Sequence, residues 1–150
     1  MYTPQLKMFS LRHIGITVQD IKKSLELYRD YFKFKVVWDE IEQGKFIDGL
    51  SGIDNIVVRT VKLKDYNGGM VELLEYKSHP KILESLRPII NIGVSHFAIT
   101  VRDLNQTYGE LLKMGLVFNE KPKVSPDGGA IVCFGRDFDG TLIELVEVIN

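Results

Sequence analysis

The feature that most constrains this chain is an internal repeat. His13-Ile-Gly-Ile-Thr-Val-Gln-Asp20 returns as His96-Phe-Ala-Ile-Thr-Val-Arg-Asp103 with five of eight positions identical, and Met70-Val-Glu-Leu-Leu-Glu-Tyr76 returns as Leu142-Ile-Glu-Leu-Val-Glu-Val148 with three of seven. A chain that carries one pattern twice folds as two copies of one unit. The repeated residues include metal-binding types: His13, Glu72, His96 and Glu144 recur in the order His, Glu, His, Glu. A duplicated unit offering one imidazole and one carboxylate per copy can close a single four-ligand site on its pseudo-twofold axis.

Each copy opens on strict alternation. Between Leu11 and Val18, His13, Gly15 and Thr17 take one face and Ile14, Ile16 and Val18 the other; His96, Ala98 and Thr100 oppose Phe97, Ile99 and Val101 in the same way. Each is a strand with one apolar face, and the small neighbours beside each His leave room for a ligand. Asp20 and Asp103 follow as helix N-caps, since their carboxylates accept from the free amides of a first turn. Ile21, Leu25, Tyr28 and Phe32, then Leu104, Tyr108, Leu111 and Leu112, recur at helical spacing, and Gly115 stops the second helix.

Extended stretches come next. In the first copy they are Lys35–Trp38, Ile56–Leu63 and Met70–Tyr76; in the second, Val117–Asn119, Ala130–Phe134 and Thr141–Val148. The fold class is therefore α+β, built as two tandem βαβββ modules. Asn67-Gly68-Gly69 and Asp137-Phe-Asp-Gly140 are hairpin turns that feed the two glutamate-bearing strands.

The modules span about residues 10–76 and 93–150 of a single domain, joined by a linker at 77–92. The two histidines are 83 positions apart and the two glutamates 72, so the first copy carries about eleven extra residues. Asp39–Asn55, with Gly44, Gly49 and Gly52, is expected to hold them as an extended loop, either a plain surface insertion or a cover for a site. In the linker, Ile82, Leu83 and Leu86 between Pro80 and Pro88 suggest a short helix.

Strand parity selects among the glutamates. Glu72 and Glu75 lie three apart and must face opposite ways, as must Glu144 and Glu147. If the site face is the polar interior of a curved sheet, Glu72 and Glu144 share it with Leu74 and Val146, and Glu75 and Glu147 face outward. Two imidazoles and two carboxylates suit one divalent ion, with zinc, nickel, cobalt, manganese and iron all compatible. Such an ion acts as a Lewis acid while a carboxylate removes a proton beside a carbonyl.

Other function classes find little support. A net charge of −1 with scattered Lys and Arg offers no field for nucleic acid. The sole cysteine, Cys133, excludes an intrachain disulfide and sits in an apolar run as a buried thiol. His79, beside Pro80 and without a counterpart, belongs to no site. Ser125-Pro-Asp-Gly-Gly129 lacks the spacing of a nucleotide loop and is a turn. The opening ten residues carry no targeting pattern and no stretch has the apolar length of a membrane span, so the expected location is cytoplasmic.

These motifs resemble the vicinal oxygen chelate superfamily, which contains glyoxalase I, methylmalonyl-CoA epimerase, extradiol dioxygenases, and the bleomycin and fosfomycin resistance proteins. The resemblance rests on the two His-x-x-Ile-Thr-Val-x-Asp strands, the two Glu-Leu-x-Glu strands, and the Phe134–Glu144 segment before the last ligand. It implies a half-open, cup-shaped mixed sheet with helices outside and one divalent ion held by His13, Glu72, His96 and Glu144. Glu144 is then the catalytic base, with Glu72 as its opposite number. The implied function is that of a metal-dependent isomerase or lyase acting on a small-molecule substrate through an enediolate, and the implied assembly is a homodimer.

Alternatives are a non-catalytic binding protein of the bleomycin-resistance kind, holding its ligand between Trp38, Phe46 and neighbouring rings, or a dioxygenase-like relative. A fourth ligand at Glu72 argues against extradiol chemistry, which uses two His and one carboxylate. Fosfomycin thiol transferases rank low in this reading, as smaller proteins with another ligand order.

Overall fold

The structure is a computed structural model that describes residues 9–83 and 86–149. It divides into two compact units. The first comprises residues up to Ile21 together with Tyr28–His79, and the second comprises Lys22–Leu27 together with the residues from Pro80 onward.

In the first unit, strands β1 (Ile14–Thr17), β2 (Lys35–Gln43), β3 (Val57–Lys64) and β4 (Met70–Tyr76) form one sheet in the order β1-β4-β3-β2. The pairing of β1 with β4 is parallel, with Gly15 opposite Glu72. The β3-β4 hairpin turns where expected: Asp65 N–H donates to Gly69 O, the Asp65 carboxylate accepts from Asn67 and Gly69 N–H, and Gly68 takes the positive φ the turn demands. Alternation along β4 buries Val71, Leu73 and Glu75 and leaves Met70, Glu72, Leu74 and Tyr76 partly exposed. A fully buried side chain such as Leu73 contributes about 1.5–3 kcal/mol.

The second unit repeats this plan. Strands β5 (Phe97–Thr100), β6 (Val117–Phe118), β7 (Lys123–Val124), β8 (Ala130–Arg136) and β9 (Leu142–Val148) form a second sheet, ordered β5-β9-β8-β6, with β7 also paired to β8. Again the first strand runs parallel to the last, with Ala98 opposite Glu144. The β8-β9 turn is closed by Asp137, whose Oδ1 accepts from Asp139 and Thr141 N–H while Gly140 supplies the positive φ. The α+β class and the βαβββ order of each copy follow the sequence expectation, with β7 an addition too short to show a pattern.

Helix α3 (Leu104–Lys113) starts as predicted, with Asp103 capping Gln106 N–H, and ends before Gly115. Its stripe is narrower than expected: Leu104 and Leu111 are buried, but Leu112 is exposed. Helix α1 (Ile21–Leu25) continues as a π-helical turn over Glu26–Tyr31. The wider turn brings both Leu27 and Tyr28 fully inside, a pair that ideal 3.6-residue spacing does not predict.

Two expectations are corrected. Asp39–Asn55 is no open loop: β2 runs on to Gln43, and α2 (Lys45–Ser51) follows, tied down by the Asp48 carboxylate accepting from Asn55 and Ile56 N–H. The expected linker helix is absent among the described residues of 77–92; Glu84 and Ser85 lie outside them. Lys81 to Leu83 are exposed and irregular: with Ile82, Leu83 and Leu86 open to solvent, no apolar face is buried to stabilise so short a helix. The expectation drawn from the first ten residues falls mostly on positions 1–8, also outside the described set. No helix among the described residues is long and apolar enough to cross a membrane.

Cys133 is free and buried, as expected, and burial pushes its thiol up to about 11 from an ordinary value near 9.0. The unfolded chain therefore loses this proton first, so stability falls as pH rises through that interval. The loss amounts to roughly 2–3 kcal/mol. Urea unfolding at pH 8 and pH 10.5 checks it: the drop for the native chain should exceed that for Cys133→Ala, and equal drops would refute it.

Candidate metal centre

The register of the parallel strand pairs brings the repeated histidines and glutamates together within each unit. His13 precedes β1 by one residue, on the face shared by Gly15 and Glu72. Gly15, the cross-strand partner of Glu72, adds no side chain to this face, and His13 Nε2 lies 3.6 Å from Glu72 Oε1. In the second unit Ala98 plays the same part, and His96 Nε2 lies 3.1 Å from Glu144 Oε2. All four side chains are partly exposed, Glu72 least at 14%.

These separations fit a shared ion. Nitrogen and oxygen ligands bind zinc at about 2.0–2.2 Å, so two of them at tetrahedral or octahedral angles stand about 3.0–3.5 Å apart. Within each unit by itself the group stops at two ligands; no cluster of three or more His, Cys, Asp or Glu is gathered among the described residues.

The surroundings of the two pairs differ. His96 Nδ1 is 2.8 Å from Ser95 Oγ, and the tautomer that donates there leaves the Nε2 lone pair for an ion. Phe134, opposite Glu144, packs edge-on to the His96 ring at 5.0 Å. His13 Nδ1 is buried with no partner among the described residues, which costs about 1–3 kcal/mol.

Opposite Glu72 stands Lys62, a residue the sequence reading passed over, with Nζ 3.5 Å from Glu72 Oε2. Its place was legible: a hairpin turning at Asp65–Gly69 sets Lys64 across from Met70 and hence Lys62 across from Glu72. On the reverse face Arg59 grips Asp39 through two hydrogen bonds, which hold the Asp39 carboxyl below its usual range.

Parity holds for the second glutamates but not their exposure. Glu75 is buried, with Oε2 3.3 Å from Ile21 N–H at the start of α1, and Glu147 Oε2 accepts Leu104 N–H at 2.7 Å at the start of α3. They face the helix termini rather than water, because free amides there attract a carboxylate. His79, outside any cluster, shares a hydrogen bond with Ser78.

Residues 10–145 match the model of the Glyoxalase/Bleomycin resistance protein/Dioxygenase superfamily. The chain belongs to that superfamily. The uncharacterized protein YraH of Bacillus subtilis is 27% identical over 141 residues, covering 93% of this chain and 98% of YraH. Lactoylglutathione lyase GLX1 of Arabidopsis thaliana is 24% identical over 136 residues, 90% of this chain but 43% of that protein.

Among solved structures, a glyoxalase family protein from Bacillus cereus superposes with a TM-score of 0.88 over 99% of this chain and 100% of its own, at 18% identity. The fosfomycin resistance protein FosX of Listeria monocytogenes, complexed with Mn(II) and sulfate, gives 0.62 at 14% identity over 95% of each chain. FosX thus shares this fold at nearly the same length.

Proposed function

We propose that the protein is a metal-dependent isomerase or lyase of the glyoxalase and epimerase type. In this reading His13, Glu72, His96 and Glu144 hold one divalent ion, within one chain or between two copies in a homodimer, and the substrate is a small oxygenated molecule such as a thiohemiacetal or α-hydroxythioester. The observation that carries it is the duplicated pair: the same imidazole nitrogen faces the same carboxylate at the same register position in both units, 3.6 and 3.1 Å apart. Kinship with a lactoylglutathione lyase and the Mn(II) of FosX support it.

When bound, the ion supplies Lewis acidity that acidifies a proton beside the substrate carbonyl. The chain's own part is to orient and to move that proton. Ser95 and Phe134 steady the His96 ring, and Glu144, next to no cation among the described residues, accepts the proton and returns it to a neighbouring atom.

A second reading rests on exposed rings: Trp38 and Phe46 stand open to solvent, as a cup for an apolar ligand would need. Chelation separates the two. Protein purified without added metal should carry one divalent ion per site by mass spectrometry, and chelation should abolish hydrogen exchange at the substrate α-carbon. A protein free of metal that cannot be loaded, with ligand binding untouched by chelator, would favour the binding module.

A further inference from the structure

The two halves of the candidate centre are not equivalent, and the difference is a charge. Across the first sheet, β1, β4, β3 and β2 place Glu72 opposite Lys62 and Lys62 opposite Trp38, all on the face that carries His13. Lys62 Nζ is 3.5 Å from Glu72 Oε2, the oxygen turned away from His13, and 5.6 Å from the centroid of the Trp38 ring. In the second sheet the position opposite Glu144 belongs to Phe134. One row ends in an ammonium over an indole; the other ends in a phenyl ring.

Lys62 has donors to spare. An ammonium carries three N–H groups, and at 3.5 Å its pairing with Glu72 is longer than a well-formed charged hydrogen bond of about 2.7–2.9 Å. The side chain is 29% exposed and Trp38 is 47% exposed, so a ligand has access to both. Two positions along the same strand face, Lys64 lies opposite Lys35 and adds positive charge.

The charge on this face is mixed. Lys62, Lys64 and Lys35 share it with Glu72 and with Glu40 and Glu42 of β2, and Glu42 already accepts a hydrogen bond from Thr60 Oγ1. With an ion held at Glu72, less of that carboxylate's charge would be left for Lys62, and the ammonium would be free for an anion.

We propose that Lys62 is a substrate-binding residue that takes a carboxylate of the substrate, with Trp38 flanking it, so that this protein selects anionic substrates and binds them in one orientation. The proposal rests on the metal-site reading for the chelated end of the substrate, but the carboxylate end is held by protein alone.

Two probes with one chelating head test it: acetohydroxamic acid, and succinic monohydroxamic acid, which adds a carboxylate. Each is titrated into metal-loaded native protein, Lys62→Met and Lys62→Arg, followed by calorimetry and by emission of Trp38, the sole tryptophan. The readout is the ratio of the two affinities, which cancels any change common to both probes. The native ratio should favour the carboxylate by about tenfold or more, fall to near one in Lys62→Met, and return in Lys62→Arg.

A native ratio near one, or an undiminished ratio in Lys62→Met, overturns the proposal while leaving the metal reading standing if acetohydroxamate binds. If neither hydroxamate binds, succinate is titrated into the metal-free protein. Quenching of Trp38 that disappears in Lys62→Met then upholds the anion site and counts against the metal reading, and no quenching overturns both.

Discussion

Replacement of Glu144 by Gln is expected to reduce hydrogen exchange at the substrate α-carbon by about 10²–10⁴-fold, the contribution of a positioned general base, while the protein melts as the native chain does. The structure separates the two effects. Glu144 sits on β9 between Ile143 and Leu145, whose side chains are buried on the opposite face, and its own carboxylate is a quarter exposed on the His96 side. Gln has nearly the same volume and keeps an oxygen for His96 or an ion, but it cannot accept a proton. Exchange is measured by NMR in deuterated buffer with thiohemiacetal and α-hydroxythioester substrates. If Glu144→Gln still exchanges at the native rate, Glu144 is no base and the proposed chemistry needs another acceptor.

Glu144 is a residue visible from the repeat alone. Parity and repetition are strong signals. His13, Gly15 and Thr17 alternate against Ile14, Ile16 and Val18, and the same alternation at His96–Val101 leaves few ways to pair the strands. The turn residues at 67–69 and 137–140 then set the hairpin registers, and with them the His–Glu pairs.

Features that depend on what lies across a strand or beneath a turn stayed hidden. The second half of β2, with Asp39, Glu40 and Glu42, reads as loop because it is the edge of its sheet, and edges carry charge to block further pairing. Lys62 reads as an ordinary surface lysine in an apolar strand until Glu72 is set opposite it. The burial of Leu27 depends on a π-helical turn that ideal helical spacing does not reveal. The insertion at Asp39–Asn55 was correctly located by counting between repeats, but counting says nothing about the Asp48 contacts that fold it.

The buried Glu75 leads to the second large expectation. A glutamate three residues past Glu72 in a strand near water looks expendable, and on that reading its removal would do little. In the structure it joins a strand to a helix. Oε2 faces Ile21 N–H, Oε1 forms an ion pair with Lys77 Nζ at 2.6 Å, and Glu75 adds a small share to the upward shift of Arg59 that comes mainly from its hydrogen bonds to Asp39.

Glu75→Ala leaves the Ile21 amide buried and unpaired, a loss of about 1–3 kcal/mol, to which the lost helix-terminal charge adds about 0.3–1 kcal/mol. At this chain length 1 kcal/mol moves the melting temperature by about 2–4 °C, so Glu75→Ala should melt roughly 3–15 °C lower. Glu75→Gln retains an acceptor for the amide and gives up only the charge, so it should lose about a quarter of that. Glu147→Ala, at the equivalent place on β9, should behave as Glu75→Ala does by losing the partner of Leu104 N–H.

Metal affinity provides the control, because both residues point away from the His–Glu faces. A variant that melts early yet binds the ion as the native chain does assigns Glu75 and Glu147 to holding the helices and Glu72 and Glu144 to the site. A Glu75→Ala protein that melts within about 1 °C of native would show that the carboxylate does not hold α1, and the division of labour between the two glutamates of each repeat would fail with it.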